Sequence, residues 1–342
     1  MRNKEFYDLM KSNLDAIAKP LDSLGDFEET IARMGAVLKD EAVNIDRAAL
    51  IVFCSDNGII EEGVSQSKED VTYSVASLLG KRQSSVCHMA KNAGVDVFPV
   101  NLGVKQTQKI PGVDGCLYIS PGTKNFLREP AMNEAQCKLA MEAGASYIEG
   151  LVNKGYTCFL LGEMGIGNTT TSTAVIYGLL GENLSKICGR GAGLSDKGLK
   201  KKKAVIKEAY EKYDLQNRTP LEILTCVGGY DIAAMVGAIL KASQLSYPVI
   251  LDGLITAAAA LIATKIDKNS LDILFASHKG KERGVERVFS QLNLKPVIDA
   301  NLALGEGTGA VLFYNLLQCA KSVYDENTTF KDASLEAYKR FK

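Results

Sequence analysis

Residues 160–172 constrain this chain more than any other stretch: Leu-Leu-Gly-Glu-Met-Gly-Ile-Gly-Asn-Thr-Thr-Thr-Ser. An apolar, β-leaning run at 156–161 leads in, and residues 174–180 lead out, apolar enough for a buried helix face. The stretch reads as strand, glycine turn, helix. Gly165 and Gly167 let the backbone approach a ligand closely and take positive φ. Asn168 and the threonines from Thr169 suit an N-cap and a first turn with free N–H groups. Such a helix start binds anions, phosphate above all. Glu163 stands out, because a carboxylate at the mouth of an anion site repels a phosphate. Its use must be different: a ribose hydroxyl, or a developing positive charge.

The remaining chain repeats this alternation. Residues 48–54 form a continuous apolar run, as buried parallel strands do. Residues 95–100 read as a strand with Pro99 near its end or on an edge, and 247–252 and 271–276 read as two more. Helical periodicity covers 6–17, 27–38, 71–93, 133–154 and 197–212. Apolar helices follow the glycine turns at 227–231, 253 and 305–310, the last running to about Tyr324. The polar tail after Asp325 is expected to fold back as a helix or to fray. Strand–helix alternation predicts an α/β fold with a mainly parallel sheet. Ser55-Asp56, Gly162-Glu163, Asp252-Gly253 and Ser277-His278 each follow a strand, where ligands sit in open α/β sheets. The helices at the two chain ends fit no crossover and are expected to form a small second domain. The expected division is 1–45, 46–310 and 311–342.

Composition narrows the partners. Lys plus Arg and Asp plus Glu both number 40, which gives no general support to a nucleic-acid or anionic-membrane surface. Small molecules and copies of the chain itself fit better. The first residues lack the apolar core of a signal peptide, and the apolar run at 257–263 is too short for a bilayer. Eight cysteines without CxxC spacing suit a reducing cytoplasm. Cys54, Cys158 and Cys226 read as small hydrophobes. With two histidines in the chain, no His/Cys zinc site is expected.

Further positions carry chemistry, each beside a blander alternative. Glu306 lies between glycines just before a buried helix, where desolvation raises a carboxylate toward the range of a useful base. Alternatively it is an acid favoured by the helix dipole. The surrounding glycines are not a Walker A loop, since no Gly-Lys-Ser/Thr follows. Lys197, Lys200, Lys201, Lys202, Lys203 and Lys207 read as a solvated helix face, from which one lysine can reach a phosphate at the 189–193 glycine loop. His278 is a phosphate ligand or a cap. Asp56 and Asp252 hold ribose hydroxyls or turn the chain. His88, beside Cys87 and Met89, reads as structural.

Together these pieces resemble the nicotinate-nucleotide–dimethylbenzimidazole phosphoribosyltransferase family, which assembles the lower ligand in cobalamin synthesis. The matching stretches are 19–25, 55–58, 62–65, 162–170, 227–231, 251–253, 277–278 and 304–310. The resemblance implies a large Rossmann-like α/β domain with a small helical domain from both chain ends, assembled as a homodimer. It implies a reaction in which an aromatic base attacks C1′ of nicotinate mononucleotide with inversion, releasing nicotinate. Glu306 matches the general base, and Glu163 matches a carboxylate that stabilises an oxocarbenium-like ribose. Phosphate and ribose would be held at Gly165, Gly167, Asn168, Thr169, Gly191, Lys202, Asp252, Ser277 and His278. The acceptor would be held at Asp56, Ser67, Val75, Ala303 and Leu304.

No cofactor and no metal is expected. A pyridinium leaves with no added charge on its ring nitrogen, whereas a pyrophosphate needs Mg²⁺ to neutralise its charge. Val75 and Ala303 stand where members specialised for dimethylbenzimidazole carry glutamine and arginine. The acceptor is therefore left open, with adenine and phenolics as alternatives. A non-catalytic nucleotide-binding subunit has little use for two buried acids, and a phosphate-loop kinase would need a lysine motif that this chain lacks.

Overall fold

The computed structural model describes residues 3–68, 70–326 and 328–340; residues 1, 2, 69, 327, 341 and 342 lie outside it. Five strands form one parallel sheet: β1 (Ala48–Ser55), β2 (Asp96–Gly103), β3 (Cys158–Met164), β4 (Val249–Leu251) and β5 (Leu274–Ala276). Their order is β2-β1-β3-β4-β5, and all four pairings are parallel. The chain winds outward from β1 in both directions. The loops after β1 and β3 therefore part at the point where a crevice opens.

Helices cover both faces. In chain order they are α1 (Lys4–Ala16), α2 (Asp26–Leu38), α3 (Asp70–Gly80), α4 (Ser85–Asn92), α5 (Glu134–Asn153), α6 (Asn168–Leu180), α7 (Leu184–Ile187), α8 (Asp196–Lys212), α9 (Pro220–Val227), α10 (Tyr230–Leu245), α11 (Leu254–Ile266), α12 (Arg283–Gln291) and α13 (Thr308–Asp325). The two-residue period of a strand sorts its side chains between the faces. Ala49, Ile51 and Phe53 of β1 join the core built with α5, α6, α10 and α11. Ala48, Leu50, Val52 and Cys54 join the core built with α1 to α4 and α13. With both faces covered, the strand must be apolar throughout, and every residue of β1 is buried. The helices of the two chain ends thus share a core with one face of the sheet. All eight cysteines are free thiols. Among the described residues, no helix is long and apolar enough to cross a membrane.

Several expected elements change. The single helix expected over 71–93 is two helices, α3 and α4. The first ends at Gly80, where a Cβ would lie 2.1 Å from the Pro111 carbonyl oxygen. Arg82 then takes a φ of 59°, and Ser84 caps α4 by accepting the Cys87 N–H. His88 is exposed on α4 rather than packed. The strand expected over 271–276 starts only at Leu274, because Lys268–Ile273 is a 3-10 turn. Helix α9 was not expected, although Thr219 and Glu222 form a capping box at its start. Pro99 lies within β2, which is an edge strand. The tail after Asp325 folds back without a helix: Thr329 bridges to Ile17, and Arg340 binds Asp15 and Asp22 at 2.6 and 2.8 Å.

Helices α5 and α10 touch through glycines. A Cβ on Gly144 would lie 1.8 Å from the Ala234 oxygen, and one on Gly237 would lie 1.9 Å from the Met141 oxygen. Gly150, on the same helix as Gly144, has nothing within 4 Å. Two effects of Gly→Ala compete here. Helix propensity favours alanine by about 0.5–1 kcal/mol, while overpacking costs about 1–3 kcal/mol. We expect Gly150→Ala to raise stability and Gly144→Ala to lower it by at least about 1 kcal/mol, read from urea midpoints. Equal shifts in both variants would refute the close-packing account.

Candidate active site

A cleft opens at the carboxyl ends of the strands, lined by residues from the loops after β3, β4 and β5 and from the 302–308 loop. Its floor is the turn into α6. Gly167 caps that helix in the left-handed region, at φ 96°. Gly165 has no positive φ; it is glycine because a Cβ would lie 2.4 Å from the Ser55 oxygen. Asn168, expected as the cap, is instead the first helical residue. Its side chain is thereby released to reach Glu163 and Asp231, the latter at 3.1 Å. Asp231 is fully buried and was not singled out from the sequence. Its signal was an acid at the start of a helix just after Gly228-Gly229.

The anion end of the cleft is built from two helices. Lys202 of α8 is fully buried, unlike the exposed Lys197, Lys200, Lys201 and Lys207. Its ammonium donates to Thr169 Oγ1 at 3.0 Å. Burial pushes its pKa down, opposed by Cys188 and Glu282 nearby. Gly191, with φ 54°, donates its N–H to Glu282 Oε1 at 2.9 Å. Glu282 lines the cleft too, and it was not anticipated.

The carboxylates occupy the other end. Glu306 takes a φ of 59° between Gly305 and Gly307, both at 88°. A left-handed turn at a non-glycine residue costs roughly 1–2 kcal/mol, so the surroundings must impose it. They do so through Gly162 of β3, where a Cβ would lie 2.5 Å from the Glu306 oxygen. They also do so through Asp252, which accepts N–H groups from Gly307, Gly309 and Ala310 at 3.2, 2.8 and 3.3 Å. Burial raises the Glu306 pKa; hydrogen bonds from Ser84 and the Val86 N–H at the start of α4 oppose this. Glu306 Oε2 is buried with no hydrogen-bond partner. Glu163 is half-buried, and burial together with Asp231 pushes its pKa up to about 8. A Cβ on Gly305 would lie 3.0 Å from Glu163 Oε1, so the loops carrying the two glutamates meet.

Of the expected site residues, Glu163, Gly165, Asn168, Thr169, Gly191, Asp252, His278, Glu306, Val75, Ala303 and Leu304 line this cleft. Gly167 and Lys202 lie just behind its wall. Asp252 is engaged by the α13 N-terminus, which is a different duty from holding a ribose. Ser277 is buried; its hydroxyl lies 2.9 Å from His278 Nδ1 and 3.4 Å from the Asp252 carbonyl. Burial lowers the His278 pKa, opposed by the Asp252 charge nearby. Asp56 and Ser67 do not line the cleft. Asp56 accepts the Lys105 N–H at 2.9 Å and anchors the segment after β2, while the Ser67 N–H binds Ser65 within its own loop. Among the described residues, no three His, Cys, Asp or Glu side chains converge as metal ligands.

A buried lysine with a hydroxyl as its hydrogen-bond partner is a cost to the fold. We expect Lys202→Met to be at least as stable as the parent protein in thermal unfolding. A loss above about 3 kcal/mol, the cost of breaking a buried ion pair, would show that Lys202 is structural.

The same chain can be compared with known proteins. A phosphoribosyltransferase family model, DBI_PRT, matches residues 1–335. A nicotinate-nucleotide–dimethylbenzimidazole phosphoribosyltransferase of Acetivibrio thermocellus is 36% identical over 335 residues, covering 98% of this chain and 95% of its own. A protein of the same name from Clostridium perfringens is 36% identical, covering 95% and 90%. The crystal structure of CobT from Thermus thermophilus superposes with a TM-score of 0.92 at 32% identity, covering 98% of this chain and all of that one.

Proposed function

The chain belongs to the DBI_PRT phosphoribosyltransferase family, and from that membership and the cleft we infer its reaction. It is a pentosyltransferase that moves the 5-phosphoribosyl group from nicotinate mononucleotide to dimethylbenzimidazole or a related aromatic base. The observation that carries this reading is the meeting of Glu163 and Glu306 in one cleft whose far end is an anion seat.

The residues take roles in that order. The 5′-phosphate lies on the start of α6, near Gly165, Asn168 and Thr169, with the Gly191 loop beside it and the Lys202 ammonium behind Thr169. The ribose then faces Glu163. The acceptor ring lies by Val75, Ala303 and Leu304, within reach of Glu306. One ring nitrogen of the acceptor attacks C1′ as the bond from C1′ to the nicotinate nitrogen breaks, and that bonding pair stays on nicotinate. Glu306 takes the proton from the other acceptor nitrogen. Its raised pKa makes it a better base than an exposed carboxylate. Charge on the ribose is positive during the transfer, and a carboxylate at Glu163 stabilises it. We carry a cytoplasmic homodimer over from the family resemblance. We likewise read residues 1–45 and 311–342 as one helical unit beside the α/β domain of 46–310.

The test is to incubate the purified protein with nicotinate mononucleotide and a panel of bases, scoring nicotinate release. Dimethylbenzimidazole, benzimidazole and simpler rings should react within about two orders of magnitude, since a methyl group contributes only about 1–3 kcal/mol in an apolar pocket. No release with any base would sink the reading. Glu306→Gln should lower turnover by roughly 10²–10⁴-fold while nicotinate mononucleotide still binds. Near-normal turnover would move the base elsewhere. Activity should also survive exhaustive chelation by EDTA, because the leaving group accumulates no anionic charge; a loss restored by Mg²⁺ would contradict that argument.

A further inference from the structure

We propose that Asp231, which lies outside the cleft, is a positioning residue for Glu163: the single amide of Asn168 is shared between the two carboxylates and holds Glu163 toward the ribose. An amide nitrogen carries two hydrogens. Here Asn168 Nδ2 gives one to Glu163 Oε2 and the other to Asp231 Oδ2. The second oxygen of Asp231 accepts the Ile232 N–H at 2.9 Å, which fixes Asp231 on the first turn of α10. Two glycines make room for it. A Cβ on Gly229 would lie 2.4 Å from Asp231 Oδ1, and one on Gly165 would lie 3.1 Å from Oδ2. The arrangement is therefore built from the β1–β3 crevice, α6 and α10 together.

Its electrostatics have one sign. The titratable groups facing Glu163 are Asp231 from α10, Asp252 after β4, Glu306 before α13 and Cys54 on β1. Asp231 in turn faces Asp56 and Cys54. Among the described residues, no lysine or arginine forms an ion pair with Glu163 or Asp231. Two carboxylates at one amide without a cation resist joint ionisation. Burial pushes Asp231 up to about 6, below the value of about 8 for Glu163. The pair therefore favours keeping one proton near neutral pH over ionising together. A cationic pyridinium ribose reverses that balance: the proton of the pair leaves to solvent by the exposed edge of Glu163, which then faces the ribose as a carboxylate. This last step rests on the function proposed above.

The experiment separates the two claims. Carboxyl titration by ¹³C NMR follows Glu163 directly, assigned by its loss in Glu163→Gln. In Asp231→Asn, which keeps an oxygen to accept from Asn168, the Glu163 carboxyl should titrate about one pH unit lower, a tenfold change in proton affinity. In Asn168→Ala it should titrate higher, because the bond that favours its charged form is gone. These opposite signs distinguish positioning from general damage, and either variant suffices if the other fails to fold. An unmoved Glu163 titration in the folded variants overturns the proposal. The acid limb of kcat/KM should move with the Glu163 titration. If the titration moves and the limb does not, the coupling to Asp231 stands and the role of Glu163 in the reaction falls.

Discussion

One carboxylate, that of Asp252, ties the sheet to the loop that carries Glu306. It follows β4 directly, and it gathers three N–H groups at the start of α13. These are among the donors a helix cannot satisfy by itself, and they carry the positive end of its dipole. The Gly305-Glu306-Gly307 turn therefore has little freedom: it is held by Asp252 beneath and by the backbone of Gly162 beside it. Three consecutive left-handed residues would not persist alone in an exposed loop. Here a tertiary cap and a side-chain-free strand position over-determine them. The same carboxylate lies 4.0 Å from His278, so the ends of β4 and β5 and the start of α13 form one rigid corner.

The cleft is polarised along its length. At one end stand the start of α6 and the buried Lys202, with Glu282 beside the Gly191 loop; at the other stand Glu163, Asp252 and Glu306, with Asp231 behind them. Burying this many acids is unfavourable, and raised pKa values are how the protein limits the cost. The polarity suits a ligand with a phosphate at one end and a cationic ring beyond the sugar. In nicotinate mononucleotide the two charges are separated by the ribose, which is the arrangement of the cleft.

Much of this was legible in the sequence. Short apolar runs ending in polar or glycine turns marked the strands, and residues 48–54, 95–100, 156–161, 247–252 and 271–276 each overlap one of the five. The convergence of their trailing loops followed from topology. What was missed depends on neighbours distant in sequence. Residues 71–93 have helical periodicity throughout, and the close approach of Pro111 that requires glycine at residue 80, where the first helix ends, comes from a distant segment. Asn168 looks like a cap, but Gly167 takes that place, and the freed amide finds two acids. Asp231 was not singled out, since its partner Asn168 lies 63 residues away. Asp56 sits in a matching stretch and Ser67 just beyond one, yet neither lines the cleft. A motif fixes which loop comes near, whereas the direction of each side chain is settled by packing.

The core shared by α1, α2 and α13 has a consequence for synthesis. Met10 of α1 meets Tyr324 of α13 across 314 residues of chain. At roughly 5–20 residues per second on the ribosome, the first helices wait on the order of 15–60 s for the helix that covers them. During that time Leu14, Ile31 and Met34, all fully buried in the finished fold, lack the α13 side of the core they share. Helices α1 and α2 are thus completed by a helix made roughly 300 residues later, and part of their apolar surface stays uncovered through that interval.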